Sequence, residues 1–148
     1  MKQFKHLGAY GLIIEDNKIV LIKKVGGPYN GKLDLPGGTI EWGETPEEAL
    51  IRELNEEVGI EVINYELFDA NSIVFEWIHK GELERGHHLG IFYKILCYKN
   101  ELLENINIDE KNDDSLGAKF YEIKKLKKSE LSDIAKLELE KLGYKLDD

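Results

Sequence analysis

Three glutamates in the middle of the chain carry carboxylates at a spacing that suits a hard metal ion. Glu53, Glu56 and Glu57 lie in residues 45–58, whose apolar residues repeat with the period of a helix. On a helical wheel at about 100° per residue, the three carboxylates fall within an arc of about 100° beside the predicted core-facing stripe. Oxygen ligands gathered on one face suit Mg²⁺ or Mn²⁺.

The alternative interpretation is a solvated acidic face, which explains most runs of glutamate on a helix. Two electrostatic arguments favour the metal site. Glu53 and Glu57 are like charges four residues apart, which is mildly destabilising without a counterion. Glu56 and Glu57 also lie in the last turn, where negative charge opposes the helix dipole.

The helix that must position these glutamates has marked ends. Thr45 and Glu48 form a T-x-x-E capping box, and Pro46 occupies the first helical position. Gly59 follows the last turn as a glycine that ends the helix. Ala49 is predicted to lie in the acidic arc. The core-facing stripe is predicted to consist of Leu50, Ile51, Leu54 and Val58.

The sequence around the helix resembles the Nudix box. From Gly38 the chain reads Gly-x5-Glu44-x7-Arg52-Glu53-Leu54-x-Glu56-Glu57-x-Gly59-Ile60, which matches all nine defined positions over 23 residues. Leu35-Pro36-Gly37-Gly38 resembles the segment that usually precedes the box, and residues 114–120 resemble a later loop of the family. The family often has tryptophan where this chain has Leu33 and Phe120, differences that concern packing rather than chemistry.

The resemblance implies hydrolysis of a nucleoside diphosphate linked to another group. It implies that Glu53, Glu56 and Glu57 hold Mg²⁺ or Mn²⁺, with the carbonyl of Gly37 as a further ligand. Glu53 is the first candidate for the base that takes a proton from water. The catalytic residues expected from the resemblance are Arg52, Glu53, Glu56 and Asp114.

The other expected roles concern residues around the three glutamates. Arg52 is expected to pair with a box carboxylate and fix its orientation. Glu44 is expected to support the loop and the outer shell of the metal. Asp114 is a candidate for a remote carboxylate that joins as ligand or base, with Asp113 and Glu110 as rivals. The alternative for these last three residues is a solvated acidic loop.

Basic and aromatic residues elsewhere are candidates for contacts with the substrate, although each is more often a surface or core residue. The candidates for the phosphates are Lys23, Lys24, Arg85, His87 and His88. The candidates for stacking on the base are Tyr10, Phe4 and Trp42. Trp42 is alternatively expected to wall the cleft. The substrate contacts selected from these sets are Lys23, Arg85, His87 and Tyr10.

The remaining pattern predicts an α/β fold in one domain, residues 1–148. Residues 8–14 and 18–24 form a predicted hairpin, followed by a loop at 26–31 and a short strand at 33–35. Further strands are predicted near 61–68, 72–78, 89–98 and 118–123, and a second helix begins near Ser129. With the resemblance, these elements predict the Nudix-type α/β/α sandwich, in which a mixed sheet lies between helices.

Composition narrows the possible partners. The net charge of −9 argues against broad nucleic-acid binding, but not against a small nucleotide substrate beside a divalent cation. The apolar runs are too short to span a membrane. Cys97 is the only cysteine and is expected to be buried in a strand. With no secretory signal pattern, this favours a cytoplasmic protein. A homodimer is expected from the resemblance alone.

Three functions compete at this stage. The first is the hydrolase, which the intact set of box carboxylates favours. The second is a nucleotide-sensing Nudix binding domain without turnover, a class that usually carries a DNA-binding domain and often lacks box carboxylates. The third is an isomerase of isoprenoid diphosphates, which would require a well-placed cysteine. The box does not select one nucleotide, because loops elsewhere contact the rest of the substrate.

Overall fold

The computed structural model describes residues 1–100 and 115–148. Within these ranges it contains eight strands and two α-helices, with two short 3-10 turns before the second helix. The strands are β1 Lys2–Leu12, β2 Ile14–Glu15, β3 Lys18–Lys24, β4 Leu33–Asp34, β5 Gly37–Thr39, β6 Glu61–His79, β7 Glu82–Lys99 and β8 Ser115–Glu122. The helices are α1 Pro46–Val58 and α2 Asp133–Lys141.

The strands form two sheets that meet at the middle of the domain. The first sheet has the order β5-β1-β7-β6, in which β1 and β7 are parallel and the other pairs are antiparallel. In the second sheet β3 pairs with β2, β4 and β8, all antiparallel. The N–H of Gly11 donates to the carbonyl of Pro36 at 2.9 Å, which joins the end of β1 to the segment after β4.

The two helices cover opposite faces of this β layer. Ala9 and Ile13 belong to the hydrophobic core under α1, together with Leu50, Leu54 and Val58. The neighbouring residues Tyr10 and Leu12 belong to the core under α2, together with Ile134, Ala135 and Leu139. Side chains alternate between the faces of a strand, so β1 contributes to both cores. The structure confirms the α/β/α sandwich with a mixed sheet.

Helix α1 begins and ends as predicted. Thr45 Oγ1 accepts from the N–H of Glu48 at 3.1 Å, and Glu48 Oε1 accepts from the N–H of Thr45 at 2.9 Å. Gly59 has φ 83°, the left-handed conformation that glycine adopts without strain. The predicted capping box, N-terminal proline and terminal glycine are therefore confirmed.

The predicted stripe of α1 was partly wrong. Leu50, Leu54 and Val58 are fully buried, but Ile51 is 40% exposed because it lies just outside the buried arc. Ala49 is fully buried rather than open. Ala49 lies in the first turn of α1, where this side of the helix packs against the core. One turn later, at Glu53, the same side of the helix lines the cavity.

The largest difference between the predicted and the observed strands concerns the hairpin of β6 and β7. The two strands predicted near 61–68 and 72–78 are one strand of 19 residues, and β7 begins at Glu82 rather than Leu89. Lys80 and Gly81, both with positive φ, close the hairpin. Strand β5 was not predicted, and α2 begins at Asp133 with Ser132 as its cap rather than near Ser129.

Glycine in β7 gives aromatic rings room to lie on the first sheet. Gly86 pairs with Phe4 of β1 on one side and with Phe75 of β6 on the other. A Cβ added to Gly86 would lie 2.5 Å from Cζ of Phe75 and 2.7 Å from Cζ of Phe4. Any side chain at this position would therefore displace both rings.

Cys97 lies in β7 but is exposed, so the prediction of a buried cysteine was wrong. It pairs with Asn64 where the register of β6 against β7 shifts, and a register shift breaks the alternation of buried and exposed residues. In the part of the chain that the structure describes, no helix is long and apolar enough to cross a membrane.

A buried pair of carboxyl groups joins α2 to β6. Glu138 is fully buried, and Asp69 accepts a 2.6 Å hydrogen bond from Nζ of Lys141. No described amine, amide or hydroxyl donates to either oxygen of Glu138 or to Oδ2 of Asp69. Burial, followed by the hydrogen bond and the charge of Asp69, raises the pKa of Glu138 to about 8. A proton on Glu138 therefore supplies the missing donor between the two groups.

Candidate active site

A cavity of about 710 Å³ opens between α1, the loop after β3 and one face of the first sheet. This volume falls in the range of small-molecule sites. The residues that line it form an acidic end, a polar middle and an aromatic end. The acidic end includes Gly37, Gly38, Arg52, Glu53, Glu56 and Glu57; the polar middle includes His6, Tyr10 and His88; the aromatic end includes Phe4, Tyr29, Phe75 and Trp77.

The acidic end holds α1 tightly against β5. The N–H of Gly37 donates to Oε1 of Glu57 at 2.9 Å. A Cβ on Gly38 would lie 2.9 Å from the carboxyl carbon of Glu53, and a Cβ on Gly37 would collide with the backbone of β1. Gly37 also has φ 136°, in the range that favours glycine. The two glycines are therefore required for the carboxylates to approach the backbone here.

Arg52 fixes the orientation of the carboxylates around it. Its Nε and Nη2 donate to the two oxygens of Glu44 at 2.7 and 2.9 Å. Its Nη1 donates to Glu53 at 3.0 Å and to Glu56 at 3.3 Å. Its Nη2 also donates to the carbonyl of Thr39 at 3.1 Å. The structure thus shows the expected pairing of Arg52 with box carboxylates.

The pair of Arg52 and Glu44 stays charged over a wide pH range. The hydrogen bond from Arg52 lowers the pKa of Glu44 to about 2, and the hydrogen bond to Glu44 raises the pKa of Arg52. Glu44 also accepts from the N–H of Glu41 at 2.8 Å. Glu44 therefore supports the loop before α1, as expected from the sequence.

The donor set of the acidic end fits a hard divalent cation. Three carboxylates and a backbone turn face one cavity, and such oxygen ligands suit Mg²⁺ or Mn²⁺. In the present arrangement, no three described carboxyl, imidazole or thiol groups converge closely enough to hold a metal. Arg52 provides the positive charge beside Glu53 and Glu56 instead.

The polar middle of the cavity joins one tyrosine and two histidines by hydrogen bonding and ring stacking. The hydroxyl of Tyr10 and Nε2 of His88 are hydrogen-bonded at 2.6 Å. His88 stacks on His6 with ring centroids 4.5 Å apart, and Nε2 of His6 is hydrogen-bonded to Oγ1 of Thr39 at 2.9 Å. Burial above all, and then the charges of His6 and Lys24, lower the pKa of His88 to about 4. Burial raises the pKa of Tyr10.

The structure places only some of the predicted substrate contacts at this cavity. Tyr10, Phe4, Lys24 and His88 line it. Lys23, Arg85, His87 and Trp42 lie outside it.

Strand alternation and exposure explain why these candidates lie away from the cavity. Arg85 and His87 lie on the face of β7 opposite to His88, and Arg85 pairs with Glu76 at 2.8 Å. Lys23 borders a separate depression of about 450 Å³. Trp42 is fully exposed and does not wall the cleft.

Several residues of the cavity were not predicted from the sequence. They are His6, Tyr29, Asp34, Phe75 and Trp77. Phe75 and Trp77 lie two residues apart in the predicted strand 72–78, so the alternation of a strand was a usable signal that they share one face. The predicted contributions of Asp114, Asp113 and Glu110 lie outside the described residues.

The family follows from the comparison of the chain with known proteins. The model of the NUDIX domain matches residues 5–140, so the chain belongs to the Nudix family. It is 34% identical over 106 residues to the 8-oxo-dGTP diphosphatase of Proteus vulgaris. The alignment covers 70% of this chain and 86% of that protein. It superposes on the crystal structure of the MutT NUDIX hydrolase from Burkholderia pseudomallei with a TM-score of 0.70 and 27% identity, covering 93% and 97% of the two chains.

A further relative carries a different activity name. The chain is 34% identical over 118 residues to the ADP-ribose pyrophosphatase of Methanocaldococcus jannaschii. The alignment covers 80% of this chain and 62% of the relative, so the chain spans less than two thirds of that protein's length. The two differently named relatives leave the substrate open within the family.

Proposed function

We propose that this protein is a hydrolase that depends on Mg²⁺ or Mn²⁺ and cleaves a phosphoanhydride bond in a nucleoside diphosphate linked to another group. The observation that carries the proposal is that Glu53, Glu56 and Glu57 line one end of a ligand-sized cavity with Arg52 held among them. The names of two relatives, a diphosphatase and a pyrophosphatase, support the same reaction class.

The metal ligands in this proposal are the three glutamates and the backbone of Gly37. When bound, the cation neutralises the diphosphate oxygens and lowers the pKa of water. The N–H of Gly37 keeps Glu57 beside the Pro36-Gly37-Gly38 turn through the 2.9 Å hydrogen bond. This contact fixes one carboxylate before any ligand binds, which reduces the reorganisation that binding requires.

The chain's own groups supply the proton transfer. In hydrolysis the oxygen of water bonds to one phosphorus, the bridging oxygen leaves with the other phosphorus, and one proton of the water must be accepted. Glu53 is our first choice for this base, because it lines the cavity and Arg52 holds its Oε1 at 3.0 Å. Asp114 stays the second candidate. Arg52 acts as a positioning residue for Glu53 and Glu56.

The test is an assay of purified protein against a panel of nucleotides with Mg²⁺ or Mn²⁺ and identification of the products. The panel includes ADP-ribose, 8-oxo-dGTP, sugar nucleotides and dinucleoside polyphosphates. We expect turnover of at least one member that stops when the metal is chelated. In Glu56→Gln and Glu57→Gln the rate should fall about 100-fold or more, because the site loses a negative charge while the fold is retained.

The matched control is Glu48→Gln in the same helix. It removes the same charge outside the cavity, and glutamine preserves the capping box. It should therefore keep the wild-type rate. Wild-type rates in both Glu56→Gln and Glu57→Gln would refute the metal site. Nucleotide binding without products across the panel would favour the sensing domain instead.

The resemblance also supports two proposals about assembly. We propose that residues 1–148 act as one domain and that the protein is a homodimer in solution. Light scattering at micromolar concentration tests the second proposal, because a homodimer gives twice the 17.0 kDa mass of the chain. A monomer mass would refute it without affecting the proposed reaction.

A further inference from the structure

The depression of about 450 Å³ beside Lys23 brings three lysines together in a chain of net charge −9. Lys23 of β3, Lys119 of β8 and Lys32, which precedes β4, all line it. Glu130 is the only carboxylate among the described residues that line it. This depression, termed here the basic depression, therefore carries an excess of positive charge, while the chain as a whole is strongly negative.

Strand pairing places two of the lysines on one face of the second sheet. Lys119 pairs with Leu21, and Lys23 lies two residues after Leu21 in β3, so both lysines project from the same face. Leu33 pairs with Lys23 and belongs to the core under α2. Tyr121 packs against the same core. Leu33 and Tyr121 both line the depression, so the lysines surround an apolar floor.

Lys32 is held in place before any ligand binds. Its Nζ donates to the carbonyl of Ser129 at 2.5 Å. An ammonium has three N–H donors, so two remain for a ligand. Neither Lys23 nor Lys119 pairs with a carboxylate of the described residues. The ammonium of Lys119 lies 5.2 Å from the ring centroid of Tyr121. The basic depression thus contains more N–H donors than the described residues satisfy.

Two uncharged side chains add further donors. Oδ1 of Asn30 accepts from the N–H of Gly26 at 2.7 Å, which leaves the amide N–H groups of Asn30 as donors. Burial, followed by the charge of Glu130, raises the pKa of Tyr121, so its hydroxyl keeps its proton at neutral pH. Asn30 and Tyr121 both line the basic depression. Ammonium, amide and hydroxyl donors around one depression suit an oxyanion, and phosphate offers several charged acceptor oxygens.

The loop between β3 and β4 separates the basic depression from the cavity. Lys24 and Tyr29 line the cavity. Lys23 and Lys32, which flank the same loop, line the depression. The N–H of Lys24 donates to the carbonyl of Lys32 at 2.9 Å, and the N–H of Gly31 donates to the carbonyl of Lys24 at 2.9 Å, which closes the loop at its base. A ligand in the basic depression therefore does not occupy the space of the cavity.

We propose that the basic depression is a second binding site, which takes a phosphate group, either as a free anion or as part of a phosphorylated small molecule. The phosphate oxygens accept from the ammonium groups of Lys23, Lys32 and Lys119, and the rest of the ligand contacts the apolar floor. A volume of about 450 Å³ falls in the range of small-molecule sites. The proposal goes beyond the proposed hydrolysis and does not depend on it, because it uses no residue of the acidic end.

Isothermal titration calorimetry tests the proposal without turnover. Divalent metal is removed by dialysis, so that the glutamates of the cavity repel anions. Sodium diphosphate and ribose 5-phosphate are the two probes. We expect one saturable site, with an affinity that falls as KCl is added, because salt screens the lysine charges. Tighter binding of diphosphate identifies the free anion as the preferred source of the phosphate group, and tighter binding of ribose 5-phosphate identifies the phosphorylated molecule.

The decisive variant is the double substitution Lys23→Gln with Lys119→Gln. Both lysines are exposed, so the fold should be retained, which circular dichroism checks. Lys32 is left in place because it contacts Ser129. The affinity for the better probe should fall about tenfold or more, because two of the three ammonium groups are lost. The matched control is Lys2→Gln with Lys5→Gln, which removes the same charge from exposed positions of β1 and should bind almost as wild type.

A further variant, Lys24→Gln, shows whether the anion binds in the cavity instead. It removes a lysine that lines the cavity and should leave the affinity for both probes unchanged. A loss of affinity in the double variant of Lys23 and Lys119, but not in the β1 control, supports the second site. Absence of saturable binding, equal losses in the two double variants, or a loss in Lys24→Gln alone would overturn it.

Discussion

Glu138 makes the stability of the protein depend on pH in a direction unusual for a carboxyl group. Its pKa is raised from 4.5 to about 8 in the folded protein, first by burial and then by the hydrogen bond and charge of Asp69. Between these two values the folded protein keeps a proton that the unfolded chain releases. The free energy of unfolding therefore falls as the pH rises from about 4.5 to about 8, and levels off above that.

The size of the loss in unfolding free energy depends on how many pH units separate the pKa of Glu138 in the unfolded chain from its pKa in the folded protein. Each pH unit inside it costs at most about 1.4 kcal/mol. At pH 7 the loss is on the order of 1–3 kcal/mol, since Glu138 is fully buried but shares its proton with Asp69. This is a substantial part of a typical domain's stability of about 5–15 kcal/mol. Glu138→Gln removes the titration and keeps an N–H donor for Asp69.

The assay is urea unfolding of both proteins between pH 5 and pH 8. We expect nearly equal free energies of unfolding at pH 5 and a more stable Glu138→Gln at pH 8, by about 1–3 kcal/mol. The control is Glu140→Gln, which removes an exposed charge from the same helix and should give a difference that does not change with pH. Parallel pH curves for wild type and Glu138→Gln would refute the protonated state of Glu138.

Three further predictions concern α1 and the metal. Thr45→Ala should destabilise the protein by about 1 kcal/mol in thermal unfolding and leave turnover intact; loss of turnover in a folded variant would show that Thr45 is more than a cap. Titrating Mg²⁺ into metal-free protein should raise the melting temperature, and Glu57→Gln should show a smaller rise; no change at millimolar metal would contradict the site. Arg52→Lys should lower the rate about tenfold or more, because lysine keeps the charge but not the two-pronged contact with Glu44; a wild-type rate would argue against the positioning role.

The sequence alone was sufficient for features that depend on neighbours along the chain. The capping box of Thr45 and Glu48 spans three residues, and the terminal Gly59 acts within one turn. The pairing of Arg52 with a box carboxylate was also expected, from the resemblance, and two of its partners, Glu53 and Glu56, lie within about one turn of it on α1. These are local interactions whose geometry a helix fixes.

The substrate side of the cavity could not be predicted because it depends on strand register. Lys23 and Lys24 differ by one position, and only Lys24 lines the cavity. The same holds for His87 and His88. A shift of one residue moves a side chain to the other face of a sheet, and nothing local in the sequence fixes that choice. Phe75 was missed because the pairing of its strand with β7 was unknown.

The glycine at position 86 has a consequence for how the sheet assembles. Strands β1 and β7 are parallel, so no short turn sets their alignment. A slip by two residues would keep every side chain on its proper face and leave the apolar pattern unchanged. It would, however, place Glu84 or His88 beside Phe4, where Gly86 leaves room for the ring. Gly86 thus favours the observed alignment of β1 with β7 over an alignment shifted by two residues.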